Sequence, residues 1–379
     1  MMTPTYRSVF VLLSFLLTHS LTAQETAEEP LNVIMLIGDG MGVSQVSSAF
    51  YFGEEEPNFT RFRNVGLVKT NSVSHKVTDS AAAATAIATG VRSYNRAIGV
   101  GADSTSVPSI LERLRDEQGY RTGLVSLTSV THATPACFYA HVADRDMHAD
   151  IAAQLLDSGV DFFAGGGLNY FTHREDGRNL YVELQEKNYH LDSIGLSPTN
   201  LNRKNGYLLA PDALPAKTEG RGSFLPDATR MGLDYFTRRE EPFFFLVEGS
   251  FIDWAGHAES DSMLIQEVAD FDETLGVLLD YIDEHPNTLL VVTADHETGG
   301  VSLGKQYEPQ IIFGQKKEIP TELAVTFTSN QHSAVLVPIF AAGPGAEHFP
   351  GMYQNNEIYH RLVRALGLRT DPQLHSKTE

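Results

Sequence analysis

Val33-Ile34-Met35-Leu36-Ile37-Gly38-Asp39-Gly40 is an unbroken apolar run that ends in a polar, glycine-rich turn, and the same arrangement recurs along the chain. Further apolar runs with such turns lie at residues 122–126, 162–164, 243–247 and 289–293. Between them, apolar residues at helical spacing predict a short helix over residues 107–118 and a longer one over 263–283. Continuous apolar strands that alternate with helices are typical of a sheet whose two faces are both covered. The sequence therefore predicts an α/β fold with a central, mostly parallel sheet sandwiched by helices.

Two segments interrupt this pattern. Residues 168–230 carry scattered charges, Asn and Pro with weak periodicity, which predicts a surface excursion. Residues 304–329 predict a second insertion, of the kind that forms a lid or an interface. Because the chain shows no internal repeat and no low-complexity linker, one domain over residues 24–379 is the simplest interpretation.

The first 23 residues have the pattern of a cleaved secretory signal. Arg7 precedes an apolar run at residues 9–17, and Leu21-Thr22-Ala23 precedes the polar Gln24. The run is shorter than the roughly 20 residues that a membrane span requires, and no Cys near the cleavage point is available to carry a lipid. We therefore expect an exported protein, periplasmic or secreted, without a membrane anchor.

The net charge of the chain disfavours some classes of binding partner. The chain has 379 residues and a formal net charge of −20, which argues against nucleic acids and anionic membranes, since both require basic patches. An enzyme with an anionic substrate would then need local cations, which bound metal ions supply. Cys137 is the sole cysteine, so no intramolecular disulfide forms, and we expect its thiol to be buried as a small apolar group.

A hydroxyl nucleophile is suggested by Val77-Thr78-Asp79-Ser80 followed by the alanine-rich residues 81–86. Ser80 would lie at the start of a helix, where free N–H groups and the helix dipole favour phosphate and the serine alkoxide. Asp and Ser are also the usual N-cap residues, so on this segment alone a simple helix cap is the better interpretation.

Carboxylates and histidines follow the predicted strands, and the carboxyl ends of such strands are where active sites collect. They are Asp39, Glu248, Asp253, His257, Asp295 and His296, and they are joined by His332, which lies ahead of another apolar run. We expect these groups to converge on one rim of the sheet, where mixed carboxylate and imidazole ligands suit zinc, and a carboxylate with a hydroxyl suits magnesium.

Each of these residues also has a purely structural interpretation. Asp39 between glycines is typical of an Asx-turn, and Asp253 with His257 could form a pair on a helix surface. Asp295-His296 could cap a helix, and His332 could be a buried, hydrogen-bonded histidine. It is their coincidence at strand ends that favours a metal site.

Taken together, these motifs resemble the alkaline phosphatase family through nearly all of the sequence after the signal. The resemblance implies that Ser80, in Asp79-Ser80-Ala81, is the phosphorylated nucleophile and that Arg145 binds phosphate. It also implies two zinc ions and one magnesium ion. The implied ligands are Asp253, His257 and His332 for the first zinc, Asp39, Asp295 and His296 for the second, and Asp39, Thr134 and Glu248 for magnesium.

His132 and Trp254 occupy two positions that vary inside the family and adjoin the metals and the phosphate. This pairing is similar to that of marine and cold-environment bacterial enzymes, and the chain as a whole resembles an Antarctic bacterial alkaline phosphatase. The resemblance also implies a homodimer, with small insertions at residues 304–329 in place of a large crown domain. The magnesium affinity and the pH optimum depend on these two side chains.

The predicted function is therefore exported, metal-dependent hydrolysis of small phosphate monoesters to alcohol and inorganic phosphate through a phosphoserine. One alternative is a related phosphodiesterase, although Arg145 engages an oxygen that a diester would have esterified. Another is an exported metal- or phosphate-binding protein without turnover, which would have no need for Ser80. A sulfatase is disfavoured because Ser80 is followed by alanines rather than by the x-Pro-x-Arg context that a formylglycine precursor requires.

Overall fold

The computed structural model describes residues 30–320 and 323–369. The predicted signal peptide lies outside these residues. Among the helices of the described part, none has both the length and the apolar character needed to cross a membrane.

Strands and helices alternate through most of residues 32–293, as the sequence predicts, whereas the described strands after residue 293 follow one another with no α-helix before residue 357. The strands are β1 (Asn32–Gly38), β2 (Asn64–Lys69), β3 (Arg121–Ser129), β4 (Phe162–Gly166), β5 (Tyr189–Asp192), β6 (Lys204–Leu208), β7 (Phe243–Gly249), β8 (Thr288–Thr293), β9 (Glu297–Thr298), β10 (Ser302–Gly304), β11 (Tyr307–Ile312), β12 (Gln315–Pro320), β13 (Ala324–Thr326), β14 (His332–Ser333), β15 (Val337–Ala342) and β16 (Gly351–Gln354). The helices are α1 (Val43–Phe52), α2 (Ser80–Thr89), α3 (Ile110–Gln118), α4 (Ala133–Ala136), α5 (His148–Asp157), α6 (Leu168–Thr172), α7 (Leu180–Glu186), α8 (Phe224–Thr237), α9 (Phe251–His257), α10 (Asp261–Glu284) and α11 (Glu357–Ala365). Short 3-10 turns lie at Asn58–Arg61, Lys217–Glu219 and Ala346–His348.

One large sheet organises the fold. Its ten strands lie in the order β16-β2-β15-β8-β1-β7-β3-β4-β6-β5. Strand β1 pairs in parallel with β7 on one side and β8 on the other, and within this sheet β15 is the strand that runs antiparallel to both its neighbours. All residues of β7 and β8 are buried, because helices cover both faces. The predicted α/β fold with a mostly parallel central sheet is confirmed.

The two predicted helices form with slightly different bounds. Helix α3 starts at Ile110 rather than at residue 107 because Ser109 caps it: the Ser109 hydroxyl accepts from the Glu112 N–H at 3.1 Å, and the Glu112 carboxylate accepts from the Ser109 N–H at 2.8 Å. Helix α10 extends two residues before and one residue after the predicted range, and the Ser260 side chain caps its N-terminus.

The prediction of a surface excursion at residues 168–230 is wrong for much of that segment. Strands β5 and β6 extend the main sheet beyond β4, all in parallel, and helix α8 packs against β3, β4 and β7. The sequence signal was weak because β5 is short and mostly half-buried, so it lacks a continuous apolar run.

The segment at residues 304–329 stands outside the main sheet in its described part. Strand β10 pairs with β13, and β11 pairs with β12 in an antiparallel hairpin whose turn carries the fully exposed Phe313. The thiol of Cys137 is buried as expected, and burial raises its pKa to about 12.

Candidate metal and phosphate site

The topology brings three of the sequence motifs to one edge of the sheet. Asp39 directly follows β1, Glu248 lies near the end of β7, and Asp295-His296 follows β8. Because β7, β1 and β8 are adjacent and parallel, their carboxyl ends meet at this edge.

A first group consists of Asp253 and His257, one turn apart on α9, and His332 on β14. Nε2 of each histidine lies 3.4 Å from Asp253 Oδ1, and the two Nε2 atoms are 3.1 Å apart. The opposite nitrogens contact backbone carbonyls, His257 Nδ1 with Asn330 O at 2.7 Å and His332 Nδ1 with Thr78 O at 2.9 Å. A carbonyl only accepts hydrogen bonds, so each Nδ1 carries the proton and each Nε2 presents its lone pair to the group.

A second group consists of Asp39, Asp295 and His296, all fully buried. His296 Nε2 lies 3.5 Å from Asp39 Oδ1 and 3.3 Å from Asp295 Oδ2. The other Asp295 oxygen accepts from the backbone N–H groups of Gly40 at 3.1 Å and His296 at 2.9 Å, which fixes the carboxylate. No helix begins at Asp295-His296, so the helix-cap interpretation does not hold.

A third group shares Asp39 and adds Glu248 and His132. The Ser126 hydroxyl donates to Glu248 Oε2 at 2.5 Å, which leaves Oε1 directed elsewhere. The Thr134 hydroxyl is also buried. The resemblance places His132 beside the metals, and one of its ring nitrogens lies within 4.8 Å of a carboxylate oxygen of both Asp39 and Glu248.

Several polar atoms of these groups have no hydrogen-bond partner within the described residues. They are Asp39 Oδ1 and Oδ2, Asp295 Oδ2, Glu248 Oε1, Thr134 Oγ1 and His132 Nδ1. In particular, neither Asp39 oxygen closes an Asx-turn. A buried charge is costly unless it is paired or binds a metal, so this donor set fits divalent cations.

The electrostatics of the groups agree with this fit. Burial, followed by the neighbouring Asp295, raises the pKa of Asp39 well above its usual range, and burial raises the pKa of Glu248 to about 7. Burial also lowers the pKa values of His132 and His296, so both imidazoles are neutral and able to act as ligands. In the absence of cations, the raised pKa values of Asp39 and Glu248 favour their protonated forms, and a bound cation would replace those protons.

Ser80 begins α2, and its hydroxyl lies 3.2 Å from His296 Nε2. Asp79 is the N-cap residue of that helix, because its Oδ1 accepts from the Ala82 N–H at 3.0 Å. The helix-cap interpretation therefore holds for Asp79, while Ser80 faces the second group.

Arg145 contacts Asp79, the N-cap residue of α2, and His132 of the third group. Its Nη1 is 3.3 Å from Asp79 Oδ2 and its Nη2 is 3.2 Å from His132 Nε2. Trp254 packs on the ring of Phe251, with a centroid distance of 4.4 Å, and is 38% exposed.

Thr298 was missed by the sequence reasoning. Its hydroxyl donates to Asp253 of the first group and lies 3.2 Å from Nδ1 of His296 in the second, so it contacts both groups. The signal was its place in the turn that follows Asp295-His296. Ser126 was missed as well, although it lies in β3 directly opposite Glu248 of β7.

The sequence model described as Alkaline phosphatase matches residues 31–322. Alkaline phosphatase 4 of Bacillus subtilis (strain 168) is 31% identical over 411 aligned positions, which cover 88% of this chain and 88% of the relative. Streptomycin-6-phosphate phosphatase of Streptomyces griseus is 30% identical and is matched over 89% of this chain and 91% of its own length.

Solved structures are similar over the same range. The alkaline phosphatase from the Antarctic bacterium TAB5 is 44% identical, with a TM-score of 0.85 over 90% of this chain and 99% of that chain. A variant of the TAB5 enzyme with a histidine replaced by aspartate, described with Mg bound in the M3 site, has a TM-score of 0.86 over the same shares.

Proposed function

Because the chain belongs to the alkaline phosphatase family and is an enzyme of that class, we propose that it hydrolyses phosphate monoesters through a phosphoserine at Ser80. The resemblance to an Antarctic bacterial enzyme is confirmed at 44% identity. The observation that carries the proposed mechanism is the position of the Ser80 hydroxyl. It lies at the positive, N-terminal end of α2 and 3.2 Å from Nε2 of His296, which belongs to the second group with the buried Asp39 and Asp295.

The nucleophile acts by displacement at phosphorus. Ser80 Oγ forms a bond to phosphorus as the bond to the alcohol oxygen breaks, which leaves a phosphoserine and a free alcohol. Water then attacks the phosphoserine, which releases inorganic phosphate and restores Ser80. The positive end of the α2 dipole favours the negative charge on Ser80 Oγ and on the phosphate at both steps.

Arg145 binds and orients the phosphate. Its planar fork suits two oxygens of a phosphoryl group, and Asp79 on one side and His132 on the other keep it directed across the start of α2. A monoester has enough unesterified oxygens for this fork and for the cations, which supports a monoester over a diester.

The three groups would hold the cations. The first and second groups, each with imidazole and carboxylate, suit zinc, and the third, with Glu248, Asp39 and the Thr134 hydroxyl, suits magnesium. When bound, the cations supply charge neutralisation at the phosphate and lower the pKa of the Ser80 hydroxyl and of water. The His132 imidazole in the third group is a softer donor than magnesium prefers, so we propose a weaker preference for magnesium there than an all-oxygen site would have.

The proposal also includes export of the protein and its assembly as a homodimer. Export follows from the leader pattern of residues 1–23, and N-terminal sequencing of the mature protein tests it. A homodimer follows from the family resemblance, and light scattering of the purified protein tests it.

The test of function uses residues 24–379 loaded with zinc and magnesium. We expect release of p-nitrophenol from p-nitrophenyl phosphate, loss of activity on chelation, and recovery on adding the metals back. Ser80→Ala should reduce kcat by at least about a thousandfold, since it removes the nucleophile. Ser48→Ala, at a buried serine of α1 outside the three groups, is the matched control and should retain activity.

Three results would count against this function. Equal activity in Ser80→Ala and wild type would remove the phosphoserine. Faster turnover of bis(p-nitrophenyl) phosphate than of the monoester would favour the diesterase. Stoichiometric metal and phosphate binding without turnover of either ester would favour the binding protein.

A further inference from the structure

The phosphate-binding Arg145 stands in the sequence between two aspartates. Asp144 and Asp146 have side chains that are 43% and 72% exposed, and both lie on the loop that carries Arg145. Two carboxylates beside a site for a dianionic phosphate would repel the substrate over distances up to about 10 Å. Without a positive charge close to them, these two carboxylates would weaken phosphate binding at Arg145.

Arg96 meets both of these aspartates. Its Nε and Nη2 atoms donate to Asp144 Oδ2 and Oδ1, each at 2.8 Å, in a bidentate pair, and Nη2 also bonds to Asp146. The Arg96 hydrogen bonds lower the pKa of Asp144 to about 2. Asp144 is therefore charged across the neutral and alkaline range, so its pairing with Arg96 does not depend on pH there.

The backbone of Arg96 contacts the same machinery. Its N–H donates to Asp79 Oδ2 at 2.9 Å, the oxygen that also lies 3.3 Å from Arg145 Nη1, and its carbonyl accepts from the Arg145 N–H at 2.8 Å. Arg96 has a φ of 80°, in the left-handed region where a residue other than glycine costs about 1 kcal/mol. Glycine would fit this backbone better, so the Arg96 side chain is present despite a local conformational cost.

We propose that Arg96 is a positioning residue for phosphate binding: its positive charge offsets part of the negative charge of Asp144 and Asp146, and its hydrogen bonds hold the loop so that Arg145 is directed to the phosphoryl group. This inference rests on the proposed function, since it assigns the phosphate to Arg145. Arg96 acts through its neighbours: these hydrogen bonds go to Asp79, Asp144 and Asp146, none of which belongs to the three metal-binding groups.

The test compares the inhibition constant of inorganic phosphate, KM and kcat in metal-loaded variants. In Arg96→Gly, which suits the backbone, we expect the phosphate inhibition constant and KM to rise about three- to tenfold at low ionic strength, with a smaller change in kcat and a smaller effect at high salt. Arg96→Lys should fall between wild type and Arg96→Gly, because it keeps the charge but loses the fork. Adding Asp144→Asn and Asp146→Asn to Arg96→Gly should restore the inhibition constant.

Two controls separate this role from a structural one. Asp146→Asn with Arg96 intact should bind phosphate more tightly than wild type, a gain that a damaged fold does not produce. Arg61→Gly removes an arginine that pairs with two other aspartates, Asp280 and Asp283, near the C-terminal end of α10, and should leave the inhibition constant unchanged.

The inference is overturned if Arg96→Gly keeps the wild-type inhibition constant, or if the two asparagine substitutions fail to restore it. A wild-type enzyme that neither hydrolyses the monoester nor binds phosphate would instead overturn the proposed function. The two failures are therefore distinguished by the wild-type measurement alone.

Discussion

Glu248→Gln should make the cation-free protein less sensitive to alkaline pH. Burial raises the pKa of Glu248 from 4.5 to about 7. At about 1.4 kcal/mol per pH unit, this difference corresponds to about 3 kcal/mol. A carboxyl whose pKa is higher in the folded state stabilises the fold below its unfolded pKa, and this stability is lost as the pH rises through its folded pKa. The chelated wild type should therefore lose about 3 kcal/mol through Glu248 alone between pH 5 and pH 8.

The glutamine keeps an oxygen that accepts from the Ser126 hydroxyl but carries no charge. Urea unfolding of the chelated proteins at pH 5 and pH 8 measures the free energy of unfolding in each state. We expect the drop in Glu248→Gln to be about 3 kcal/mol smaller than in wild type. Glu273→Gln, at a half-exposed position of α10, is the matched control and should retain the wild-type drop.

The same experiment with saturating zinc and magnesium checks the cause. Cations that bind only the folded state should restore wild-type stability at pH 8, by about 4 kcal/mol at a thousandfold excess over the dissociation constant. Glu248→Gln should recover less, because it offers the third group one carboxylate fewer. Equal pH dependence in the chelated wild type and Glu248→Gln would refute the reasoning, since burial of this carboxyl would then have no energetic consequence.

Three further substitutions test the architecture around the groups. Gly40→Ala should weaken zinc binding and destabilise the fold, because Gly40 has a φ of 74° and a Cβ there would lie 2.6 Å from Asp253 Cα. The control is Gly119→Ala, at a φ of 72° with nothing within 4 Å of the added Cβ, which should lower the free energy of unfolding by only about 1 kcal/mol. Urea titration of both variants measures the difference. Thr298→Val should lower zinc affinity about 10- to 100-fold in a competition titration, because it removes the hydroxyl that donates to Asp253, whereas Thr298→Ser should retain most of the affinity. Arg221→Met should lower the free energy of unfolding by about 3–5 kcal/mol in urea titrations, because it leaves two buried carboxylates without their shared arginine; a change below about 1 kcal/mol would show that Lys217 alone suffices.

The centre of the sheet was predictable because its strands are apolar on both faces. In β1, β7 and β8, nearly every residue is buried, so the sequence shows unbroken apolar runs. Strand β5 lies at the edge, where a mostly half-buried strand carries polar side chains, and its neighbour β6 is short and begins with Lys204-Asn205-Gly206, so the pattern of both resembles that of a loop. The sequence therefore predicts the middle of the sheet better than its rim.

Some residues of the candidate site could be predicted from the sequence and others could not. Asp39, Glu248 and Asp295 lie at or just beyond the carboxyl ends of adjacent parallel strands, so their meeting follows from parallel pairing alone. Thr298 and Arg96 act through partners that lie 45 to 50 residues away in sequence, and neither residue type is distinctive of a site. Such contacts depend on how loops fold back over the sheet edge, and no local pattern in the sequence encodes them.

The central place of β1 has a consequence for the order of folding. Its neighbours in the described sheet are β7 and β8, which begin at Phe243 and Thr288, more than 200 residues later in the chain. A nascent polypeptide with this topology cannot close its core until more than three-quarters of it has been synthesised, and contacts of such long range make folding slow. If the chain is exported as proposed, this delay keeps the early segments extended while they cross the membrane, and the metal-binding groups, whose members come from both ends of that interval, assemble only on the far side.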